Sequence, residues 1–194
     1  MATKLTGPSR KSCLPARVRL GVGRFYLCET EIGFIGLLLS SRGLRATTLP
    51  RPSRDQALRE VAEMGAGGPA SEAEAGDLLR QLRALARGRP LDLTDDIDWD
   101  SLFPLEAGTM SSFRRAVLEE TLRIPAGRTR TYAWLAAKVG NPRAARAVGR
   151  VMATNPLPLV IPCHRVVGSD GALHGYGGGL PMKAALLRME GARG

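Results

Sequence analysis

Asn155-Pro-Leu-Pro-Leu-Val-Ile-Pro-Cys163-His164-Arg165-Val166-Val167 sets a cysteine and a histidine side by side at the end of an apolar, proline-punctuated run. Pro162 holds its own φ at about −65° and has no N–H, so the chain reaches Cys163 stiff and non-helical. Leu157, Leu159, Val160 and Ile161 read as a short buried strand or extended segment that anchors the thiol to a core. A free thiol with a pKa near 8.5 is only about 3% thiolate at pH 7, so chemistry at Cys163 needs an activator. A neighbouring imidazole backed by a carboxylate is the usual one. On its own the pair reads first as an inert buried thiol beside a surface histidine, and it is the rest of the chain that turns the reading toward chemistry.

The 194 residues suffice for one large domain or two small ones, and 44% hydrophobic with 24% charged residues is an ordinary globular composition. No run approaches the roughly 18 apolar residues of a membrane span, and no apolar segment follows the basic N-terminus, so neither a membrane partner nor a secretory signal is expected. Cys13, Cys28 and Cys163 are too few and scattered for a disulfide framework, which favours a reducing, cytoplasmic setting (nucleoid-associated in a bacterium). With His164 and His174 beside them, no zinc spacing and no cofactor motif emerges. Net charge is +10, unevenly spread: residues 1–110 carry 15 Lys and Arg against 14 Asp and Glu, and residues 111–194 carry 13 against 4. A basic half on a neutral partner is the footprint of a polyanion-binding surface, most often nucleic acid.

Four segments emerge along the chain: a disordered basic lead-in at 1–17, an N-terminal α/β domain at 18–90, a solvated acidic connection at 91–110 (Asp92 to Asp100), and a C-terminal domain at 111–194. Alternation from Val18 to Leu49 predicts a small antiparallel meander. Ser53 opens a helix to about Met64, Gly65 to Pro69 breaks it, and Ser71-Glu-Ala-Glu74 fits a capping box for a leucine-rich helix ending at Gly88. In the C-terminal domain, Ser111 or Ser112 caps a helix through Leu122, Tyr132 to Val139 forms a second, and Gly140-Asn141-Pro142 leads to a third from Arg143 to Ala153, with Asn141 as its N-cap. The last two form a helix-turn-helix pattern, with Arg143, Arg146 and Arg150 on one face. Small residues such as Ala144 between those arginines allow close approach to a groove. Glycine-rich His174 to Gly179 precedes a final helix ending at Glu190, which is either the third member of a Cys-His-Glu relay or a carboxylate on a frayed terminus.

Taken together, Gly140-Asn-Pro-Arg-Ala-Ala-Arg-Ala-Val-Gly149, Asn155-Pro-Leu-Pro, Ile161-Pro-Cys-His-Arg-Val166 and Tyr176-Gly-Gly-Gly-Leu-x-x-Lys183-x-x-Leu-Leu-x-x-Glu190 closely resemble the O6-alkylguanine-DNA alkyltransferases, over roughly Phe113 to Glu190. The resemblance implies an α+β fold: a small N-terminal antiparallel-sheet domain, RNase H-like, and a mainly helical C-terminal domain with the helix-turn-helix. It implies direct repair, in which an alkyl group on O6 of guanine (with O4 of thymine as an alternative) passes irreversibly to the protein's own cysteine, so each molecule acts once. The partner implied is double-stranded DNA containing O6-alkylguanine, met by a monomer, with cooperative binding left open; no cofactor and no metal are implied.

By the same resemblance Cys163 is the alkyl acceptor, His164 its base through a water, Glu190 the carboxylate behind the histidine, and Asn155 the ligature of the turn. Tyr132 crowds the 3′ phosphate and protonates N3 of the leaving guanine. Arg146 fills the vacated stack, with Ala144, Arg143, Arg150 and Arg165 as further DNA contacts, and Val166, Tyr176, Gly177 and Gly178 line the guanine pocket. Gly177 stands where many members carry serine or alanine, and His174 where glycine is common, which bears on pocket size. Lesion sensors resembling the family replace the cysteine, usually with tryptophan, so Cys163 argues against that rival; a turnover cysteine hydrolase leaves the basic surface unexplained. Affinity for duplex DNA is expected to fall steeply with salt, each neutralised phosphate contributing about −0.9 to the log–log slope. An anisotropy titration between about 50 and 200 mM salt checks this, and a flat response would remove the argument from the basic half.

Overall fold

The computed structural model describes residues 23–87, 89, 93–102 and 109–192. The expected lead-in at 1–17, the first alternating residues before Gly23 and the Gly88 stop lie outside them. Two compact units emerge, the first holding 23–102 with a returning segment, Pro156–Val160, and the second holding 109–155 and 161–192. Among the described residues no helix is long and apolar enough to cross a membrane.

In the first unit β1 (Gly23–Thr30), β2 (Gly33–Ser40) and β3 (Gly43–Thr47) form the expected meander, with Cys28 opposite Ile35 and Leu38 opposite Ala46. Gly33 (φ +130°) and Gly43 (φ +138°) open β2 and β3 in a region that glycine alone enters cheaply. β2 is buried at nearly every position because both faces are covered. On one face α1 (Arg54–Glu63) sets Val61 against Leu38 and Ala46, and a Cβ on Gly36 would lie 2.5 Å from Val61, so only glycine lets the helix come so close. On the other face α2 (Glu72–Ala86) brings Arg83 to Cys28, whose thiol burial pushes up, as suits an inert core cysteine.

Both helix starts follow their sequence signals: Ser53 accepts from Gln56, and Ser71 with Glu74 completes the capping box. The glycine-rich breaker does more than break. Ala66–Pro69 forms β4, which pairs in parallel with β1 and makes the sheet mixed, in the order β3-β2-β1-β4. Its proline is tolerated because β4 is an edge strand.

The solvated reading of the acidic connection is corrected at Asp98. That residue is 4% exposed, accepts from the Ser40 hydroxyl at 2.6 Å, and caps α3 (Trp99–Leu102) through the Ser101 N–H at 3.2 Å. A carboxylate can be buried here because hydroxyl and amide donors replace its water. Pro156–Val160 is buried as expected, but it turns at Leu159 (φ +76°) instead of running as a strand. Pro156 and Pro158 have no N–H to give a ladder; their carbonyls accept from the Thr47 N–H (3.0 Å) and hydroxyl (2.8 Å) on edge strand β3.

In the second unit α4 (Thr109–Leu122) begins two residues before the expected Ser111 and buries Val117, Leu118 and Thr121. β5 (Arg130–Thr131) leads into α5 (Tyr132–Lys138), which closes in a Schellman motif: the Asn141 N–H donates to Ala136 and the Gly140 N–H to Ala137, with Gly140 at φ +75°. α6 (Ala145–Ala153) starts later than expected. Asn141 is not its N-cap; its side chain makes no cap, and its carbonyl accepts from the Ala144 N–H in the intervening turn. Arg143 therefore sits in the turn, and only Arg146 and Arg150 share the helix. β6 (Val166–Val167) and α7 (Leu180–Met189) complete the unit.

Ser71→Ala removes the hydroxyl that accepts from the Glu74 N–H, while the backbone N–H at position 71 still donates to the Glu74 carboxylate, and it is expected to cost about 1 kcal/mol, seen as a lowered denaturation midpoint with unchanged m-value. An unchanged midpoint would show that α2 does not rely on its cap.

Candidate active site

Backbone geometry positions the thiol before any side chain acts. Pro162 (φ −78°, ψ 63°) is the centre of an inverse γ-turn closed by the Cys163 N–H donating to the Ile161 carbonyl at 2.7 Å. Proline suits this turn because its ring sets φ and the turn makes no use of its missing N–H. Cys163–Arg165 then form one 3₁₀ turn, and the chain leaves as β6. Neighbours on a 3₁₀ turn point about 120° apart, so Cys163 and His164 project in different directions. Asn155, at the end of α6, donates from Nδ2 to the Ile161 carbonyl at 2.9 Å and also hydrogen-bonds the Cys163 thiol.

His164 is fully buried and its Nε2 lies 2.9 Å from Glu190 Oε1. Glu190 is the C-cap of α7, with a side chain 2% exposed, so it is no frayed-terminus carboxylate. Arg165 grips the same carboxylate with Nε (2.9 Å) and Nη2 (2.7 Å), and its third nitrogen donates to the Ile124 carbonyl. Burial alone would raise the Glu190 pKa, but the hydrogen bonds from His164 and Arg165 and their charges bring it down to about 2. Because the carboxylate is ionised, His164 must donate through Nε2, which leaves the Nδ1 lone pair as the basic position. No described protein group hydrogen-bonds Nδ1. Burial holds the His164 pKa below its usual value despite Glu190, so the ring is neutral at pH 7.

Burial also pushes the Cys163 thiol up, with Asn155, the Lys183 charge and backbone N–H groups pulling back only in part. The resting site thus holds a neutral thiol beside a neutral imidazole. Lys183, 1% exposed on α7, donates to the Val166 carbonyl at 2.6 Å and to His174 at 3.4 Å, tying β6 and the glycine-rich loop to that helix. β5 pairs in parallel with β6, Arg130 opposite Val166 and Thr131 opposite Val167, and this delivers Tyr132, first residue of α5, to the thiol. Burial, then the nearby Cys163 charge, raises the Tyr132 pKa, so its phenol keeps its proton.

Cys163, His164, Glu190, Asn155 and Tyr132 are thus brought together, with buried Val166 and Gly178 and half-buried Tyr176 and Gly177 on the segment from β6 to α7. Arg143, Arg146 and Arg150 are exposed, and Ala144 is half-buried. Arg165 is a correction: expected among DNA contacts, it is 6% exposed and turned inward, because the buried Glu190 carboxylate needs a counter-charge. Lys183 was missed as a functional residue. Its signal was present, since Met182, Lys183, Leu186, Leu187 and Glu190 recur at helical spacing on one face.

Fold and site together describe an α+β protein whose sequestered thiol is backed by a histidine, a carboxylate and an arginine, next to two short helices. Residues 112–192 match the family model described as the DNA-binding domain of 6-O-methylguanine DNA methyltransferase. A methylated-DNA–protein-cysteine methyltransferase of Methanosarcina acetivorans is 45% identical over 82 residues, 42% of this chain and 53% of that protein. One from Mycobacterium tuberculosis is 47% identical over 83 residues, 43% of this chain and 50% of that protein. The matched stretch spans about half the length of these curated relatives. Over a longer span, the crystal structure of Mycobacterium tuberculosis O6-methylguanine methyltransferase superposes with a TM-score of 0.64 at 32% identity, covering 87% of this chain and 92% of that one. The M. tuberculosis OGT solved in complex with DNA gives 0.63 at 31%, with the same coverage. This chain belongs to the O6-methylguanine-DNA methyltransferase family.

The depressed Glu190 pKa carries a pH dependence. An unfolded glutamate titrates near 4.3, so the unfolded chain binds a proton that the folded one does not. The stabilisation is fully present above that value and is lost as pH falls toward about 2. Glu190→Gln lacks this increment, so the stability gap between it and the parent protein is expected to shrink between about pH 4.5 and 2, measured by urea denaturation across pH. A constant gap would mean Glu190 is not held ionised.

Proposed function

We propose that this protein repairs DNA directly, moving an alkyl group from O6 of guanine in duplex DNA onto Cys163 in a single turnover. The observation that carries the reading is the buried chain of Arg165, Glu190 and His164 on the turn that holds the Cys163 thiol. Such a chain holds the imidazole in one tautomer, with the Nδ1 lone pair free to take a proton. In the reaction Sγ attacks the alkyl carbon, the Sγ–C bond forms, and the C–O6 bond breaks with its electron pair leaving on the guanine. The thiol proton passes through a water to His164 Nδ1. The guanine leaves neutral by taking a proton at N3 from the Tyr132 phenol, which solvent then restores. The product is a thioether with no route back, so one molecule repairs one lesion.

A base inside a duplex cannot reach a buried thiol, so the lesion must rotate out, at a cost of a few kcal/mol of stacking and pairing. Exposed Arg146 on α6 would occupy the vacated stack. Ala144, Arg143 and Arg150 would follow the backbone, and Val166, Tyr176, Gly177 and Gly178 would receive the guanine. The protein would act as a monomer in the DNA-bearing, reducing cytoplasm.

Intact-protein mass after incubation with excess O6-methylguanine duplex is expected to rise by one methyl group per molecule, and Cys163→Ser to abolish the gain while duplex binding persists. Tight lesion binding without mass change would make the protein a damage sensor instead. Arg146→Ala is expected to slow transfer from duplex by about tenfold or more, in keeping with a few kcal/mol of flipping work, while leaving reaction with an O6-benzylguanine free base nearly unchanged. Equal losses on both substrates would remove the flipping role.

A further inference from the structure

We propose that the face of α5 turned away from Tyr132 carries a second phosphodiester-binding site, built by Arg130 and Lys138 over Trp134 and extended by Arg128, which shares a cleft with Arg130. The proposal rests on duplex DNA being the partner, and deepens that reading by adding a contact surface outside the reactive one. The Arg130 guanidinium carbon stands 5.2 Å from the Trp134 ring centroid and Lys138 Nζ 5.4 Å from it, both within cation–π range. Arg128 and Arg130 also line an open polar cleft of about 630 Å³ with Gly127, Thr129 and Gly191. Among the described residues none of these three cations has a carboxylate at ion-pair distance, although Arg115 and Arg123 nearby in sequence are paired with Glu119 and Glu120.

Unpaired cations on a solvated surface ordinarily sample many rotamers, and ordering them costs about 2 kcal/mol of side-chain entropy each. Here the indole holds two of them in place beforehand, which is what a preorganised anion site requires. With two cations already over it, the ring is a scaffold for charge and no platform for a base, so backbone phosphate is the ligand. Trp134 follows Tyr132 by two residues, about 200° around the helix, while Tyr132 is turned toward Cys163 and Gly149. A helix is about 10–12 Å across, so phosphates held here lie beyond those beside the flipped base. They come either from the flank of the same duplex or from a second one.

The test compares the parent with Arg128→Gln/Arg130→Gln/Lys138→Gln on lesion duplexes of about 12 and 30 base pairs. A further arm measures capture of a second, labelled duplex by the protein already bound to the short one. If the flank supplies the phosphates, the variant binds the long duplex about tenfold more weakly, with a salt slope shallower by about 2 to 3, and binds the short one unchanged. If a second duplex supplies them, the loss falls on capture alone. Methyl transfer on the short duplex, read by mass, stays at parent level in both cases and shows that the variant is folded. Unchanged affinity, slope and capture would overturn the site, and so would an equal loss on both duplexes, which would put these residues in the main interface. A parent protein that neither binds nor is methylated would instead sink the DNA reading itself.

Discussion

The rest of the C-terminal unit depends on one ion pair. Glu190 is buried at the end of α7, and a carboxylate there is tolerable only because Arg165 meets it with two hydrogen bonds and His164 with a third. Removing the guanidinium would leave a charge with no water to replace it, which costs several kcal/mol. The pairing also fixes the tautomer: an ionised Glu190 holds His164 with its proton on Nε2 and leaves the Nδ1 lone pair without a described partner. Structure and reactivity are the same interaction seen from its two ends.

Around this pair the backbone does work that side chains could not. The inverse γ-turn at Pro162 and the 3₁₀ turn after it set Cys163 and His164 in divergent directions. Asn155 and Lys183 hold the turn from two sides, each spending a buried polar group on a main-chain carbonyl. Their reward is position, since a buried thiol with a raised pKa is a poor nucleophile at rest. The burial that raises the thiol pKa keeps the resting site unreactive.

The helices divide the remaining labour. α6 presents exposed arginines, and the start of α5 presents Tyr132 to the thiol because β5 is tied to β6. The other face of α5 holds Arg130 and Lys138 against Trp134, so charge in this basic half is organised in more than one place. In the N-terminal unit a mixed sheet covered on both faces gives a conventional core, and its central strand reads as continuously apolar for that reason.

Much of this was legible in the amino-acid order. The Ser53 and Ser71 caps, the Gly140 helix end and the meander follow from dihedral preferences and hydrogen bonds spanning a few residues, so the local sequence determined them. The cysteine turn and its companions were legible as ordered motifs, down to the spacing of Lys183 and Glu190. Tertiary structure alone decided where long or charged side chains point. Arg165 looked like a surface contact, Asp98 like a solvated acid, and Glu190 was ambiguous, because the partner that settles each lies tens of residues away. β4 was hidden for the same reason: its strand state comes from pairing with β1, not from glycine's own preference. Sequence specifies what the backbone does over one turn; the direction of a buried charge is chosen by whichever distant group can replace its water.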